Sequence, residues 1–318
     1  MSRNAWPCNP AAGAVLPRCN SFVLLDYPAR STNPACTPVH PIGGAATAMD
    51  ADQRGADHAS HALHHAPAWV DRIVKQLVER VTEAGVETWP FQHFYMRNVF
   101  PDDIYEQIIA NLPAKACYLP FNAKRWKNSQ GESTRDRLCL SEGELGRIEN
   151  SRRPFWHAIT EALESDNFQR AVYAKLTGDI AIRLGCAQPA VLEQPAYPNV
   201  MLIRDYQDYR IKPHPDGQPR VVTMQFYLPG KDGQDDLGTS LYIRQPLSHR
   251  LIGRKFKEIK RFPFKPNSAY AFAVNDCAER QSYHGRELIT ASQTTRDTIL
   301  ITWNSRDIAQ GQKHRSPA

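Results

Sequence analysis

The hydrophobic pattern of the chain changes near Gln194, and this change constrains the fold more than any other feature. Before it, apolar residues recur at helical spacing, as in Phe155, Ile159 and Leu163. After it, apolar and polar residues alternate with a period of two, and Gly or Pro interrupts the runs. The first period is typical of helices and the second of strands. Helices first and strands second predict a helical layer that supports an antiparallel β core.

The segments before this change predict mainly helices. A helix is predicted over 69–81, where apolar residues form one stripe that ends before Gly85. An alternating run predicts a strand within 91–100. Pro-Asp-Asp then starts a helix over 101–112, because Pro is favoured in the first turn and acids face the positive end of the helix dipole. Two helical segments are predicted within 154–184.

A polar segment and six strands complete the predicted elements. The basic and polar residues of 114–140 predict a loop that covers a site, and Ser141 and Glu144 have the spacing of a capping box. Alternation of apolar residues predicts strands at 199–206, 220–228, 239–244, 256–262, 268–274 and 296–303.

The N-terminal segment differs in composition from the rest. Residues 1–65 are rich in Ala, Pro, Gly, Asn and Thr without sustained periodicity, so we predict that they are disordered. Met49 is followed by Asp-Ala-Asp and is a candidate translation start. Residues 66–318 are predicted to form one domain, with a helical part over 66–195 and a β core over 196–308.

Composition excludes several classes of protein. The chain has 318 residues, of which 42% are hydrophobic and 23% charged, as is ordinary for a globular protein. Its net charge of +6 lacks the density expected of a nucleic-acid-binding protein, and no apolar stretch is long enough to cross a membrane. Seven cysteines without a Cys-x-x-Cys pair argue against a disulfide framework or a zinc site. We expect a cytoplasmic protein whose partner is a small molecule.

Three residues of the second half have the character of metal ligands. His214 and Asp216 lie two residues apart in an extended segment, so both side chains leave the same face. His284 would supply the third ligand. Two neutral nitrogens and one carboxylate oxygen leave three positions of an octahedron open, as an iron(II) centre needs for a bidentate co-substrate and dioxygen. The alternative is that His-Pro-Asp-Gly forms only a structural turn.

Arg296 lies twelve residues beyond His284, on the next apolar run. A guanidinium there could pair in fork geometry with the distal carboxylate of a dicarboxylic acid whose other end is on the metal.

Five sequence elements surround these residues in a definite order. They are the Tyr-rich segment 205–216, Phe226-Tyr-Leu228, Gly238-Thr-Ser-Leu241, Ser282-Tyr-His284-Gly285 and the strand 296–303. In these elements the chain resembles the iron(II)/2-oxoglutarate-dependent oxygenases, especially the prolyl-hydroxylase-like branch. The resemblance covers about residues 200–305.

The resemblance implies a mainly β fold with helical support (α+β). Its core would be a double-stranded β-helix, a cupin-like jelly roll, with the N-terminal helices packed on it. Two face-to-face sheets of this kind can gather residues that are far apart in sequence. The resemblance also implies Fe(2+), 2-oxoglutarate and O2, with the three ligands as catalytic residues and Arg296 as the 2-oxoglutarate anchor. Tyr206 or Tyr209 would add a hydroxyl donor, and a core aromatic is the alternative for either.

The implied reaction is hydroxylation with release of succinate and CO2. Asp216 favours it over halogenation, because related halogenases have a non-ligating small residue there. Thr302 stands where the nucleic-acid demethylases of the superfamily have a second Arg, which argues against base repair. Arg286 is only two residues past the distal His, which predicts that it is too near to reach across a further strand. The chain departs from the family at Asp208, often Gly, and at Leu237, where a second Gly is usual.

The substrate is predicted to be a small anion, such as an amino acid, a sugar acid or a carrier-bound intermediate. Cations bordering the site would attract it, and a solvated hairpin is the alternative for the basic run among them. Two other functions keep the same ligands: a non-catalytic cupin-like metal-binding module, and a zinc hydrolase that needs neither oxygen nor 2-oxoglutarate. The basic run contains Arg250, Arg254, Lys255, Lys257, Lys260, Arg261 and Lys265, and the other candidate cations are Arg210, Lys212, Arg220 and Arg244.

Overall fold

A computed structural model describes residues 68–121, 123–229, 234–251, 253, 255–277, 280–290 and 295–306. The segment 1–65, predicted to be disordered, lies outside the described residues, so the domain limits stay a prediction. The helices are α1 (68–83), α2 (Asp102–Ala110), α3 (Glu142–Leu145), α4 (Arg153–Glu164), α5 (Asp166–Lys175), α6 (Thr177–Leu184) and α7 (Leu247–Leu251). The strands are β1 (Val86–Glu87), β2 (His93–Arg97), β3 (Leu119–Pro120), β4 (Arg135–Cys139), β5 (Tyr197–Asp205), β6 (Ile211–His214), β7 (Arg220–Leu228), β8 (Ser240–Arg244), β9 (Phe256–Arg261), β10 (Ser268–Ala273), β11 (His284–Arg286) and β12 (Arg296–Asn304).

The described strands form two antiparallel sheets whose inner faces share one apolar cluster. The larger sheet has the order β1-β2-β10-β7-β12-β5-β4-β3, and the smaller has the order β6-β11-β8-β9. From β5 onward the described chain passes from one sheet to the other at every step except between β8 and β9. This winding is a double-stranded β-helix. The predicted mainly β fold with a jelly-roll core is therefore confirmed.

Alternation along the central strands decides which side chains lie inside the jelly roll. In β7, Met224 and Phe226 belong to the core beneath the helices. Their neighbours Gln225 and Tyr227 contact Thr239, which precedes β8 of the opposite sheet. Successive side chains of a strand leave opposite faces, so polar residues between the apolar ones are collected in the interior.

The N-terminal helices cover the outer face of the larger sheet. Phe168 of α5 contacts Trp303 of β12, with ring centroids 5.6 Å apart, and Phe100 contacts Phe226 at 5.2 Å. Each fully buried aromatic side chain of this kind contributes roughly 2–3 kcal/mol to folding. The predicted helical support is thus confirmed. Within the described part of the chain, no helix is long and apolar enough to cross a membrane.

Two local predictions before α4 are wrong. The segment 114–140 is not only a loop, because it contains β3 and β4, and β4 extends the larger sheet beside β5. Charged residues obscure the alternation of β4, and Arg137 finds its partner Glu144 at 3.1 Å only in the folded chain. The capping box does not form. Ser141 makes no side-chain cap, and Glu144 accepts hydrogen bonds from Arg137 and from the backbone N–H of Cys139 instead.

The segment 154–184 contains three helices, where two were predicted. Ser165 has an extended backbone with ψ of 141°, which separates α4 from α5, and Leu176 separates α5 from α6. The predicted helices over 69–81 and 101–112 are confirmed in α1 and α2, and the early strand in β2. All six strands predicted after 195 are confirmed, whereas β6 and β11 were not predicted.

Candidate metal centre

The three predicted metal ligands meet where β6 pairs with β11. His214 ends β6 and lies directly opposite His284, which begins β11, with ring centroids 4.5 Å apart. Asp216 follows in the next turn. Its Oδ1 is 3.9 Å from Nε2 of His214, and its Oδ2 is 3.8 Å from Nε2 of His284. One ligand atom of each residue lies within 4.8 Å of the others, so all three can contact one metal ion.

Backbone carbonyls orient both imidazoles. Nδ1 of His214 lies 3.0 Å from the Lys212 oxygen, and Nδ1 of His284 lies 3.0 Å from the Ser282 oxygen. A carbonyl only accepts, so each proton belongs on Nδ1 and each Nε2 keeps its lone pair for a metal. Burial and the neighbouring His284 lower the pKa of His214 to about 4, and its ring is neutral at neutral pH, as a ligand must be.

Gly285 allows β6 to pass close to the distal ligand. A Cβ atom at this position would lie 2.8 Å from the Ile211 oxygen and 3.2 Å from the Pro213 nitrogen. Only glycine permits so close an approach of two backbones. The distance between His214 and His284 therefore depends on the absence of a side chain at Gly285.

Two residues hold the carboxylate of Asp216, and neither role has a local sequence signal. Thr223 donates from Oγ1 to Oδ2 at 2.7 Å, and Arg220 donates from Nη1 to Oδ1 at 2.5 Å. Burial alone would raise the pKa of Asp216, but Arg220 and the two imidazoles hold it below its ordinary value. The carboxylate is consequently ionised before any metal binds.

This donor set fits an iron(II) ion. Two neutral nitrogens and one anionic oxygen converge from one side, and a metal bound there would keep its other coordination positions open. The buried Phe272 packs against the ring of His284, with centroids 4.7 Å apart, so this side of the imidazole has an apolar neighbour. A purely structural turn would not require three donors to converge.

Arg296 begins β12 and is 2% exposed, on the inner face of the larger sheet. A guanidinium has five N–H groups, and four are already used. One N–H of Arg296 is thus free in this arrangement, and the two-bond fork that the sequence predicted for this residue stays a prediction. The four acceptors are the Leu237 oxygen at 2.7 Å, Asp205 at 2.9 Å, and Gln225 and Thr239 at 3.2 Å each.

The two candidate tyrosines lie in different surroundings. Tyr209 is buried, its ring stacks on Trp126 at 5.7 Å, and its hydroxyl contacts Arg135. Tyr206 donates to Asp136 at 2.9 Å and borders a surface cleft of about 810 Å³ whose lining includes none of the three metal ligands. A role of either hydroxyl in binding 2-oxoglutarate stays a prediction.

Two further arginines lie near Arg296. Arg135 of β4 is directly opposite Asp205, with Nε 3.4 Å from Oδ1. Arg286 of β11 is 4% exposed and donates to the Asp236 oxygen at 3.4 Å. Arg135 fell in the predicted loop, and Arg286 was judged only by its distance along the chain from the distal His. No local signal marked either.

The family departure at Asp208 has a backbone explanation. Its φ is 67°, in the left-handed region that glycine favours and that Asp tolerates better than most residues. The turn between β5 and β6 thus keeps a glycine-like conformation without glycine.

The fold of this chain is similar to those of several solved structures. A prolyl hydroxylase from Trichoplax adhaerens, in complex with a hypoxia-inducible-factor peptide, matches with a TM-score of 0.41 and 12% identity, covering 78% of this chain and 94% of its own. A prolyl-4-hydroxylase from Pseudomonas putida matches at 0.40 and 11%, covering 74% and 100%. A dioxygenase for auxin oxidation from Arabidopsis thaliana, bound to 2-oxoglutarate, matches at 0.43 and 13%, covering 74% and 90%.

These matches belong to the superfamily that the sequence resembles. Comparison with models of protein families gives no match, and comparison with curated proteins gives none.

The basic run is partly neutralised by acids. Lys260 contacts Glu87, and Arg261 lies 2.9 Å from Glu258. Arg254 lies outside the described residues. These pairs favour the solvated-hairpin interpretation for this part of the run.

Proposed function

We propose that this chain is a non-haem iron(II)- and 2-oxoglutarate-dependent dioxygenase that hydroxylates a small anionic molecule and releases succinate and CO2. The observation that carries the proposal is the convergence of His214, Asp216 and His284 with both Nε2 atoms directed away from their backbone tethers. An iron(II) ion held by these residues would activate dioxygen, with 2-oxoglutarate as the reductant.

The residues around the ligands would keep the two imidazoles oriented and the carboxylate charged, as iron(II) binding requires. The Lys212 and Ser282 carbonyls orient the two imidazoles. Thr223 and Arg220 keep the Asp216 carboxylate ionised and fixed in direction. Such outer contacts commonly change metal affinity by roughly 10- to 100-fold when they are removed.

The interior beside the ligands suits an anionic co-substrate. Tyr270 donates its single hydroxyl hydrogen to Gln225 at 2.7 Å, and its oxygen lies 3.0 Å from the Thr239 hydroxyl, so these side chains form a polar network under Arg296. Phe272 lies between this network and the distal ligand, because it contacts both Tyr270 and His284. An apolar wall with a cationic end is a common form of binding site for an organic acid.

An anionic primary substrate is supported by cations near the ligands. Arg220 touches Asp216, and Arg210 and Lys212 are exposed on either side of the start of β6. Opposite charge at a site entrance raises the local concentration of an anion. The cytoplasmic location stays a prediction.

Succinate formation tests the proposal against its alternatives. Full-length protein is incubated with 2-oxoglutarate and a panel of small anions under four conditions: complete, without iron, without oxygen, and with zinc in place of iron. The dioxygenase forms succinate only when iron and oxygen are both present. Hydrolysis with zinc and without oxygen would support the hydrolase, and metal binding without turnover of any panel member or of 2-oxoglutarate would support the non-catalytic module. The assay is repeated with His214→Ala and His284→Ala, which each remove a proposed ligand. His157→Ala, at an exposed histidine of α4, is the matched control for these two variants.

A further inference from the structure

Arg286 and Arg296 are two buried arginines whose guanidinium groups donate to carbonyl oxygens of the same turn. Arg286 donates to the Asp236 oxygen at 3.4 Å, and Arg296 donates to the adjacent Leu237 oxygen at 2.7 Å. The two side chains are on opposite sheets, since β11 belongs to the smaller sheet and β12 to the larger. They therefore meet in the interior between the sheets.

The charges in this interior do not balance. Arg135 and Arg296 share the single carboxylate of Asp205, at 3.4 and 2.9 Å. Within the described residues, Arg286 has no carboxylate at ion-pair distance, and its Nε has no hydrogen-bond partner. An arginine side chain stays protonated in a protein, so Arg286 contributes a full positive charge. A buried cation without a counter-ion is strongly unfavourable unless a ligand supplies the charge.

Among the described residues, Arg286 keeps more free hydrogen-bond donors than Arg296 does. Arg296 has one N–H left after its four hydrogen bonds. Arg286 makes one long hydrogen bond and keeps its Nε edge free. A carboxylate bound in fork geometry needs two parallel donors from one guanidinium. In the described part of the chain, Arg286 has such a pair without other partners, whereas Arg296 has one N–H.

Arg286 also belongs to the same short strand as the candidate ligand His284. It follows His284 by two residues in β11, so both side chains leave the same face of the strand, although the ladder is irregular between them. A dicarboxylic acid with one end at the ligands could thus present its other carboxylate to this residue.

We infer that Arg286 provides the bidentate site for the distal carboxylate of the dicarboxylic co-substrate, with Arg296 contributing charge and one N–H, so that Arg286 sets the preference for a dicarboxylate. This inference rests on the proposed function. It assigns to β11 a specificity-determining residue that directly contacts the co-substrate.

Direct binding by the full-length chain tests the inference without turnover. The protein is loaded anaerobically with Mn(II) and titrated calorimetrically with 2-oxoglutarate and with 2-oxobutyrate, which has the same 2-oxo acid end but no distal carboxylate. In Arg286→Met, the affinity for 2-oxoglutarate should fall by roughly 10- to 100-fold, the range expected for charge-assisted hydrogen bonds. Affinities for Mn(II) and for 2-oxobutyrate should not change. Arg97→Met, at an exposed arginine that ends β2, is the control.

Stability of the ligand-free protein separates this role from a structural one. Replacing an unpaired buried guanidinium by Met should leave the urea midpoint unchanged or higher, whereas a structural arginine would lower it. Arg286→Lys keeps the positive charge but cannot form the two-bond fork, so its affinity for 2-oxoglutarate should also fall, by less than in Arg286→Met. The Lys variant tests the inference if the Met variant does not fold. Wild-type affinity for 2-oxoglutarate in both variants, or equal loss for the two ligands, would overturn the inference. If the Mn(II)-loaded wild type binds no 2-oxoglutarate, the proposed function itself fails.

Discussion

Asp205 and Arg296 lie directly opposite each other in β5 and β12, with Oδ2 and Nη1 2.9 Å apart and both side chains buried. Arg135 is opposite Asp205 on its other side, in β4. One carboxylate thus lies in a row between two guanidinium groups across three strands. Removing one partner from such a buried pair leaves uncompensated charge in a low-dielectric interior.

Asp205→Asn should therefore lower the free energy of unfolding by about 3 kcal/mol or more. Urea denaturation followed by circular dichroism measures this change. The matched control is Asp103→Asn, which breaks the exposed pair with Arg72, 2.8 Å apart, and should cost less than about 1 kcal/mol. Equal effects of the two variants would show that the row contributes nothing beyond a surface ion pair.

Replacement of any metal ligand should abolish coupled succinate formation while leaving the fold intact. His214→Ala, Asp216→Ala and His284→Ala each remove a donor that the core does not need, so the circular dichroism spectrum should be unchanged. Asp216→Glu should also be inactive, because its longer side chain moves the oxygen away from the other two donors. Full turnover by Asp216→Ala would exclude the three-ligand assignment.

Thr223→Val should weaken binding of Fe(II) by roughly 10- to 100-fold. The substitution keeps the side-chain shape but removes the hydroxyl that donates to Asp216 at 2.7 Å. Anaerobic equilibrium titration gives the affinity. Thr298→Val is the control, because the buried Thr298 hydroxyl has no hydrogen-bond partner among the described residues. If both valine variants bind Fe(II) like the wild type, the Thr223 hydroxyl does not orient the ligand.

Gly285→Ala should lower metal affinity by at least about tenfold. The added Cβ would lie 2.8 Å from the Ile211 oxygen, so β6 must move away from β11 and carry His214 with it. Gly143→Ala adds a Cβ in α3 with nothing within 4 Å and should have no effect on the metal. The prediction fails if the Gly285 variant keeps wild-type affinity.

Periodicity along the sequence was enough to predict the long elements. β5, β7 and β12 each have nine residues, which is long enough for the strand pattern to repeat several times. α1 has a complete apolar stripe. β6 and β11 have four and three residues, with Pro in one and Gly in the other, and so lack any such pattern. β6 forms by pairing with β11, and β11 forms by pairing with both β6 and β8.

The sequence by itself determined the long helices and strands, because their periodicity is local, and it marked His214, Asp216 and His284 as candidate ligands by residue type and order. Only the tertiary structure decided which buried arginines between the two sheets have a carboxylate partner. Asp205 is separated from Arg296 by 91 residues, and their contact depends on the register of β5 with β12. That register gives Arg296 its carboxylate partner, whereas Arg286, on the other sheet, has none at ion-pair distance among the described residues. Strand register arises from packing between distant segments, which no local pattern records.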